Sequence, residues 1–269
     1  MIDRNRVKKQ FADYTSDYDA TDEKIKLKID HTYRVAALCE QIAQTEKLSK
    51  EETDLAWLLG MLHDVGRFEQ LRRFGTFSDA ESIDHAQFGA DILFLPQEQG
   101  QKDILHNRIR SYLDDSSEDQ LLETAIRAHS AYRLPEGLDV RTVRFCNILR
   151  DADKIDILKV NAEIPLEAIY NVTTEELYSC MASASVMQGF FEEHAILRSI
   201  KKTPVDHVVG HMALVYELVY PVSIAIVRKQ GYLDKLLHFR SENPQTCEQF
   251  TSLRKHMEDY LKRLPIPVF

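Results

Sequence analysis

The sequence predicts an all-α protein, and two observations carry that expectation. Apolar side chains recur three and four residues apart along almost the whole chain, the spacing that gives a helix one buried face. Only 9 glycines and 8 prolines are spread over 269 residues, which leaves few breaks between helices.

The elements follow in order. His31, Val35, Leu38 and Ile42 share one helical stripe, so His31 is expected on the buried face of its helix. Leu55, Leu58, Leu59 and Leu62 form the stripe of the next helix, and Gly60 would let another segment approach one turn before the adjacent pair His63-Asp64. The segment from Phe68 to Ser82 is aromatic and charged without a clear period and reads as a loop over a site. Asp84 is suited to cap a helix carrying His85, Phe88, Gly89, Ile92 and Leu93, which Pro96 ends. A polar turn, Asp114-Asp115-Ser116-Ser117, precedes a helix with Leu121, Leu122, Ala125, Ile126 and His129, and Pro135-Glu136-Gly137 is the turn that follows. Phe145, Ile148, Leu149, Ala152 and Ile155 are the apolar face of the next helix. Beyond Asp156 three further helices are expected, roughly Thr174 to Arg198, Pro204 to Gln230 and Gln245 to Arg263. Repeats and linkers are not evident, so the chain reads as a single domain, 1–269.

Composition restricts the function. The chain has 34 basic and 43 acidic residues, a net charge of −9, which opposes non-specific attraction to nucleic acid or anionic membrane and favours a small substrate. Cys39, Cys146, Cys180 and Cys247 lie far apart without C-x-x-C spacing and read as free thiols in a reducing compartment. The start, Met1-Ile2-Asp3-Arg4-Asn5-Arg6, has no apolar signal region, so a cytoplasmic location is expected. Val208 to Val227 is apolar enough to imitate a membrane span, but it contains His211, Glu217 and Pro221 and reads as a core helix ending or kinking near the proline. A homodimer is compatible with this composition.

The residues with chemistry are His31, His63-Asp64, His85, His129 and an acidic cluster, Asp151, Asp153 and Asp156. Histidine and carboxylate are ligands for divalent metals of intermediate hardness, and each lies in or at the end of a helical segment. Asp151 and Asp153 are about 200° apart on a helix, so they cannot both face one metal. His207 and His211 also have a spacing that can bind metal, but they lack the H-E-x-x-H frame and read as a pair without metal. His106, His194, His238 and His256 have no supporting pattern.

The ordered set H…HD…H…H…D, with Leu62-His63-Asp64-Val65-Gly66-Arg67, Ala125-Ile126-Arg127-Ala128-His129 and Asp151-Ala152-Asp153-Lys154-Ile155-Asp156, resembles the HD-domain superfamily of metal-dependent phosphohydrolases. The resemblance covers roughly residues 25 to 160, which would be a helical HD core with 161–269 as an extension packed on it. Within it the residue before a Lys or Arg and after a small or apolar side chain is the ligand, which selects Asp153. The resemblance implies that His31, His63, Asp64 and Asp153 hold one metal and that Asp64, His85 and His129 hold a second, with Asp64 bridging. The six-ligand set is similar to that of the diadenosine-tetraphosphate hydrolases and the cyclic-dinucleotide phosphodiesterases of the superfamily.

One or two divalent ions would suit these ligands, iron or manganese best, with zinc, nickel, cobalt and magnesium also compatible. The implied reaction is hydrolysis of a small phosphate ester or anhydride, nucleotide-like, by a metal-bridging hydroxide. The alternative is oxidation by a mixed-valence di-iron centre, because some HD-type oxygenases share the set. Asp64 and Arg67 are the expected catalytic residues. Arg67, Arg133 and Lys154 are expected to bind substrate phosphate, since a guanidinium can meet two phosphate oxygens at once. Structural ion pairing is the competing role for all three. Arg34, Arg72, Arg73 and Arg127 also stand near the ligands in sequence. Ser130 stands where the cyclic-di-GMP enzymes carry a second histidine, and the Gly-Tyr-Pro triplet is lacking, which argues against that substrate.

Overall fold

The computed structural model describes residues 2–96 and 108–264, and helices without any strand account for the regular structure among them. The chain divides into two units, one ending at Ala152 and one beginning at Asp153. The division falls inside a helix that is itself continuous.

The first unit contains α1 (Arg4–Thr15), α2 (Glu23–Thr45), α3 (Lys50–Leu62), α4 (Val65–Phe74), α5 (His85–Phe94), α6 (Ile109–Tyr112), α7 (Asp119–Ala128) and the first part of α8 (Val140–Glu163). Side-chain caps start several of them: Asp3 on α1, Asp22 on α2, Ser49 on α3 and Asp84 on α5 each accept from backbone N–H groups of the first turn. Such caps satisfy donors that the helix itself cannot. The expected stripe of α2 is buried, with Val35 and Ile42 fully so.

Two close backbone approaches set the helices around the His63-Asp64 corner. A Cβ on Gly60 would lie 2.4 Å from the Ala36 Cα, so α3 crosses α2 at a distance only glycine permits. A Cβ on Gly66 would lie 2.4 Å from the His85 carbonyl oxygen and 2.7 Å from the Gly89 nitrogen, which brings α4 equally close to α5. Helix α1 backs the corner from the other side. Its Phe11 and Tyr14, with Tyr18 after it, pack on Phe68 of α4 at ring separations of 5.5–5.9 Å, and the Tyr14 hydroxyl donates to the Val65 carbonyl at 2.8 Å.

The stretch from Phe68 to Ser82 is not all loop as the sequence suggested. Val65, Phe68 and Leu71 are buried on one face of α4, which runs to Phe74 and ends at Gly75 with φ +70°. Only the part from Gly75 to Asp84 is loop.

The second unit holds the rest of α8, then α9 (Leu166–Tyr170), α10 (Thr174–Ser179), α11 (Ala184–Phe191), α12 (Pro204–Met212), α13 (Pro221–Gln230), α14 (Tyr232–Leu237) and α15 (Pro244–Arg263), with short 3-10 turns at Arg198–Ile200 and Ala213–Glu217. Helix α15 was expected within one residue of where it lies. The region 174–198 is two helices, and 204–230 is two helices separated by a 3-10 turn. Pro221 starts a helix rather than ending one: it occupies the first turn, where its missing N–H has no partner to lose. No helix among the described residues is long and apolar enough to cross a membrane. None of the four cysteines is in a disulfide; Cys39 and Cys146 are buried, Cys180 is half-buried and Cys247 exposed.

Candidate metal centre

Helix ends, more than helix middles, supply the candidate ligands. His31 projects from within α2, whereas His63 is the C-terminal cap of α3, Asp64 stands immediately before α4, His85 is the first residue of α5 and His129 caps the C-terminus of α7. An aspartate before a helix usually caps it. The Asp64 carboxylate makes no such bond and turns instead to the histidines. The C-terminal end of α7 is held by Arg150, whose Nη1 donates to the carbonyls of Ala128, His129 and Ala131 at 2.8, 3.2 and 2.6 Å.

The five side chains form two buried triads sharing Asp64: His31, His63 and Asp64, and Asp64, His85 and His129. The Asp64 Oδ2 lies 3.5 Å from the His31 Nε2 and 3.6 Å from the His63 Nε2. Its Oδ1 lies 3.6 Å from the His85 Nε2 and 3.8 Å from the His129 Nε2. Each carboxylate oxygen therefore faces one histidine pair. Donors about 2.1 Å from a common octahedral ion would be roughly 3.0 Å apart, close to the separations within the pairs: 3.2 Å between the Nε2 atoms of His31 and His63, and 3.1 Å between those of His85 and His129.

Tautomers sharpen the fit. The His129 Nδ1 is 2.7 Å from the Ile126 carbonyl, and the His63 Nδ1 is 2.8 Å from the Gly60 carbonyl. Carbonyls only accept, so both Nδ1 atoms carry a proton, and in the neutral form of each ring Nε2 presents a lone pair. The His85 Nδ1 donates to Asp79, 2.9 Å from both carboxylate oxygens. Burial and the Arg67 charge push the His85 pKa down to about 4 against the pull of Asp79, so its Nε2 is also unprotonated at neutral pH. With both rings neutral, two lone pairs face each other 3.1 Å apart and repel, and a cation between them removes the repulsion. Burial opposes the Asp64 charge, but the neighbouring cations, Lys28 and then Arg67, hold its carboxyl well below the ordinary range. The donor set thus suits divalent metal in both triads.

Lys28, which the sequence reading missed, lies 2.8 Å from the Asp64 Oδ2 and 5.4 Å from the centre of the Phe77 ring. Its position one turn before His31 was the available signal, since residues three apart share a helix face. Asp79 was missed for lack of any periodic signal in its loop. It orients His85, as carboxylates commonly orient ligating histidines. Asp79 and Asp84 also form a third acidic group with His85, but the Asp84 carboxylate is engaged in capping α5.

Arg67 is mostly buried, and its Nη1 donates to Gln70, the Phe77 carbonyl and Asp79 at 2.8, 2.6 and 2.9 Å. Its buried Nε has no hydrogen-bond partner and lies 3.7 Å from the Asp64 Oδ1. Arg133 is exposed, with its guanidinium 4.3 Å over the Tyr132 ring, and Lys154 is buried on α8. Arg72 and Arg73 pair with Glu69, and Arg127 pairs with Asp91 and Glu123, so these three serve structural ion pairs. Asp153 is partly buried on α8 in the second unit, and its place in the ligand set rests on the motif. Asp151 is fully buried. His106 lies outside the described residues.

Among the described residues the chain is thus helical, with two buried His–carboxylate triads joined by one aspartate. Residues 29–158 match the HD domain family, and the chain carries an HD domain over that span. HD domains bind divalent metals and are in general metal-dependent phosphohydrolases. Comparison with curated proteins and with solved structures gave no match in either case.

Proposed function

We propose that the chain is a divalent-metal-dependent phosphohydrolase acting on a small phosphate ester or anhydride of nucleotide-like character, with iron or manganese as its metal. The observation that carries this reading is the pairing of lone-pair-bearing imidazoles across a single carboxylate whose two oxygens face different pairs. In this reading His31, His63, Asp64 and Asp153 hold one ion, and Asp64, His85 and His129 hold the other. Metal bound there supplies Lewis acidity and lowers the pKa of a coordinated water.

The chain's own residues do the rest. Asp64 holds the two triads in register, and Asp79 fixes the His85 tautomer so that Nε2 faces the centre. Burial of the triads excludes bulk water and strengthens every charge interaction within them. Arg67, pinned on one side by Asp79, offers its remaining N–H groups to a substrate phosphate. Lys28 adds a second positive charge beside Asp64 and serves the same phosphate. Arg133 and Lys154 extend the phosphate-binding set in this proposal.

The test is an anaerobic screen of nucleotides and phosphoesters with the manganese-loaded chain. Release of phosphate without dioxygen is expected, with kcat/KM lowered by Arg67→Lys while metal content stays unchanged. Turnover that requires iron and dioxygen would instead establish the oxidative chemistry.

A further inference from the structure

The two oxygens of Asp64 face equivalent histidine pairs but meet different cations. Oδ2, which faces His31 and His63, accepts from the Lys28 ammonium at 2.8 Å. Oδ1, which faces His85 and His129, has the Arg67 Nε at 3.7 Å, beyond hydrogen-bond distance. Lys28 and a divalent ion in the first triad therefore call on the same oxygen.

That competition has two physical parts. The ammonium takes up lone-pair density that a metal would use, and its charge repels a divalent ion held about 2 Å from the same oxygen. Little water is present to screen the repulsion, because the Asp64 side chain is 3% exposed and that of Lys28 18%.

Lys28 has a second surface close by. Its Nζ lies 5.4 Å from the centre of the Phe77 ring, and the Arg67 Cζ lies 5.9 Å from the centre of the same ring. The arginine and the loop carrying this ring are fastened. Arg67 donates to the Phe77 carbonyl and to Asp79, while the fully buried Gln70 donates to Asp79, the Ser82 hydroxyl oxygen and the Ile83 carbonyl at 3.1, 2.8 and 2.9 Å. Lys28 is on a flexible four-carbon stem instead, with Asp64 as the polar partner of its ammonium. A phosphate group held by Arg67 beside this ring offers that ammonium an anionic acceptor of equal strength.

We propose that Lys28 couples metal loading to phosphate binding: its ammonium on the Asp64 Oδ2 weakens metal binding in the first triad, and a phosphate group on Arg67 draws it toward Phe77 and restores that affinity. The inference rests on the phosphohydrolase reading and adds that the centre holds metal tightly when phosphate is present. Such coupling is reciprocal, so metal tightens phosphate binding by the same factor. A lysine that merely kept Asp64 charged for the metal would act with the opposite sign, since its removal would weaken metal binding.

The test is anaerobic manganese titration of the chelator-treated full chain, read by the paramagnetic resonance of the free ion, with methylphosphonate or with chloride at matched ionic strength. Methylphosphonate should tighten at least one manganese-binding step of the wild type roughly 5- to 150-fold, the usual range of coupling between sites. Lys28→Met, which keeps an unbranched stem without the charge, should bind manganese tighter than wild type by a similar factor in chloride, and methylphosphonate should then add little. Manganese affinity in Lys28→Met equal to or weaker than wild type overturns the proposal. Equal tightening by methylphosphonate in both proteins also overturns it, because the anion would then act on the metal alone. Wild type tests it independently of the variant's folding: no tightening by methylphosphonate overturns the coupling while saturable manganese binding leaves the metal-centre reading standing. Failure of the wild type to bind manganese in either medium overturns both.

Discussion

Replacing Gly60 with alanine places a methyl group 2.4 Å from the Ala36 Cα, 2.7 Å from its nitrogen and 3.0 Å from the Val35 carbonyl carbon. All three are backbone atoms of α2 and cannot rotate away. Reaching ordinary contact requires α3 to move back from α2 by about 1 Å or more, and overpacking of this kind costs roughly 1–3 kcal/mol. The better helix propensity of alanine returns about 1 kcal/mol. The metal-free variant should therefore lose about 0–2 kcal/mol, a fall in thermal midpoint of no more than about 8 °C for a chain of this size. The larger effect falls on His63, one turn beyond Gly60. Its Nε2 lies 3.2 Å from that of His31, and a metal site tolerates only about 0.5 Å of displacement. Metal affinity of the first triad should fall at least about tenfold. Thermal unfolding with and without manganese, together with metal titration, reads both effects. Wild-type metal affinity in Gly60→Ala would refute the reasoning that the helix crossing sets the first triad.

Lys28→Ala removes the cation nearest to the buried Asp64; leaving a buried carboxylate short of a partner typically costs about 3–5 kcal/mol. The chelator-treated variant should melt well below wild type, and added manganese should close most of the gap; an equal deficit with metal would show that Lys28 matters by packing alone. His85 makes the metal-free protein acid-sensitive. Its folded pKa, about 4, lies below the unfolded value near 6.5, so the unfolded chain takes up the proton first as pH falls. No penalty exists above about pH 6.5; it grows as pH falls and is complete below the folded pKa, on the order of 3 kcal/mol. Denaturant unfolding from pH 7 to 4.5 should show a shallower decline for His85→Gln than for wild type, and parallel curves would show that His85 is not buried neutral.

The legible parts of the molecule were those written in local patterns. His31 on its stripe, Asp84 as a cap and Gly60 as a contact point all follow from spacing and from the absence of a Cβ, which a sequence displays directly. Helix α4 was hidden because its three buried apolar residues are interleaved with charges that pair within the helix, as Arg72 and Arg73 do with Glu69. The start of α13 was misread because a proline breaks a helix it interrupts but suits one it begins. Around the candidate centre, sequence order displayed the ligand types but not their supports. Asp79 reaches His85 from a loop without period, and Arg150 reaches the end of α7 from another helix. Such contacts depend on tertiary approach, which local spacing does not encode.

Elemental analysis of the anaerobically purified chain, set beside a His85→Ala/His129→Ala double variant, tests the central claim most directly. The account predicts two metal ions per wild-type chain and one in the double variant, whose first triad with His31, His63 and Asp64 is intact. One ion per chain in both proteins, or none in either, would contradict it.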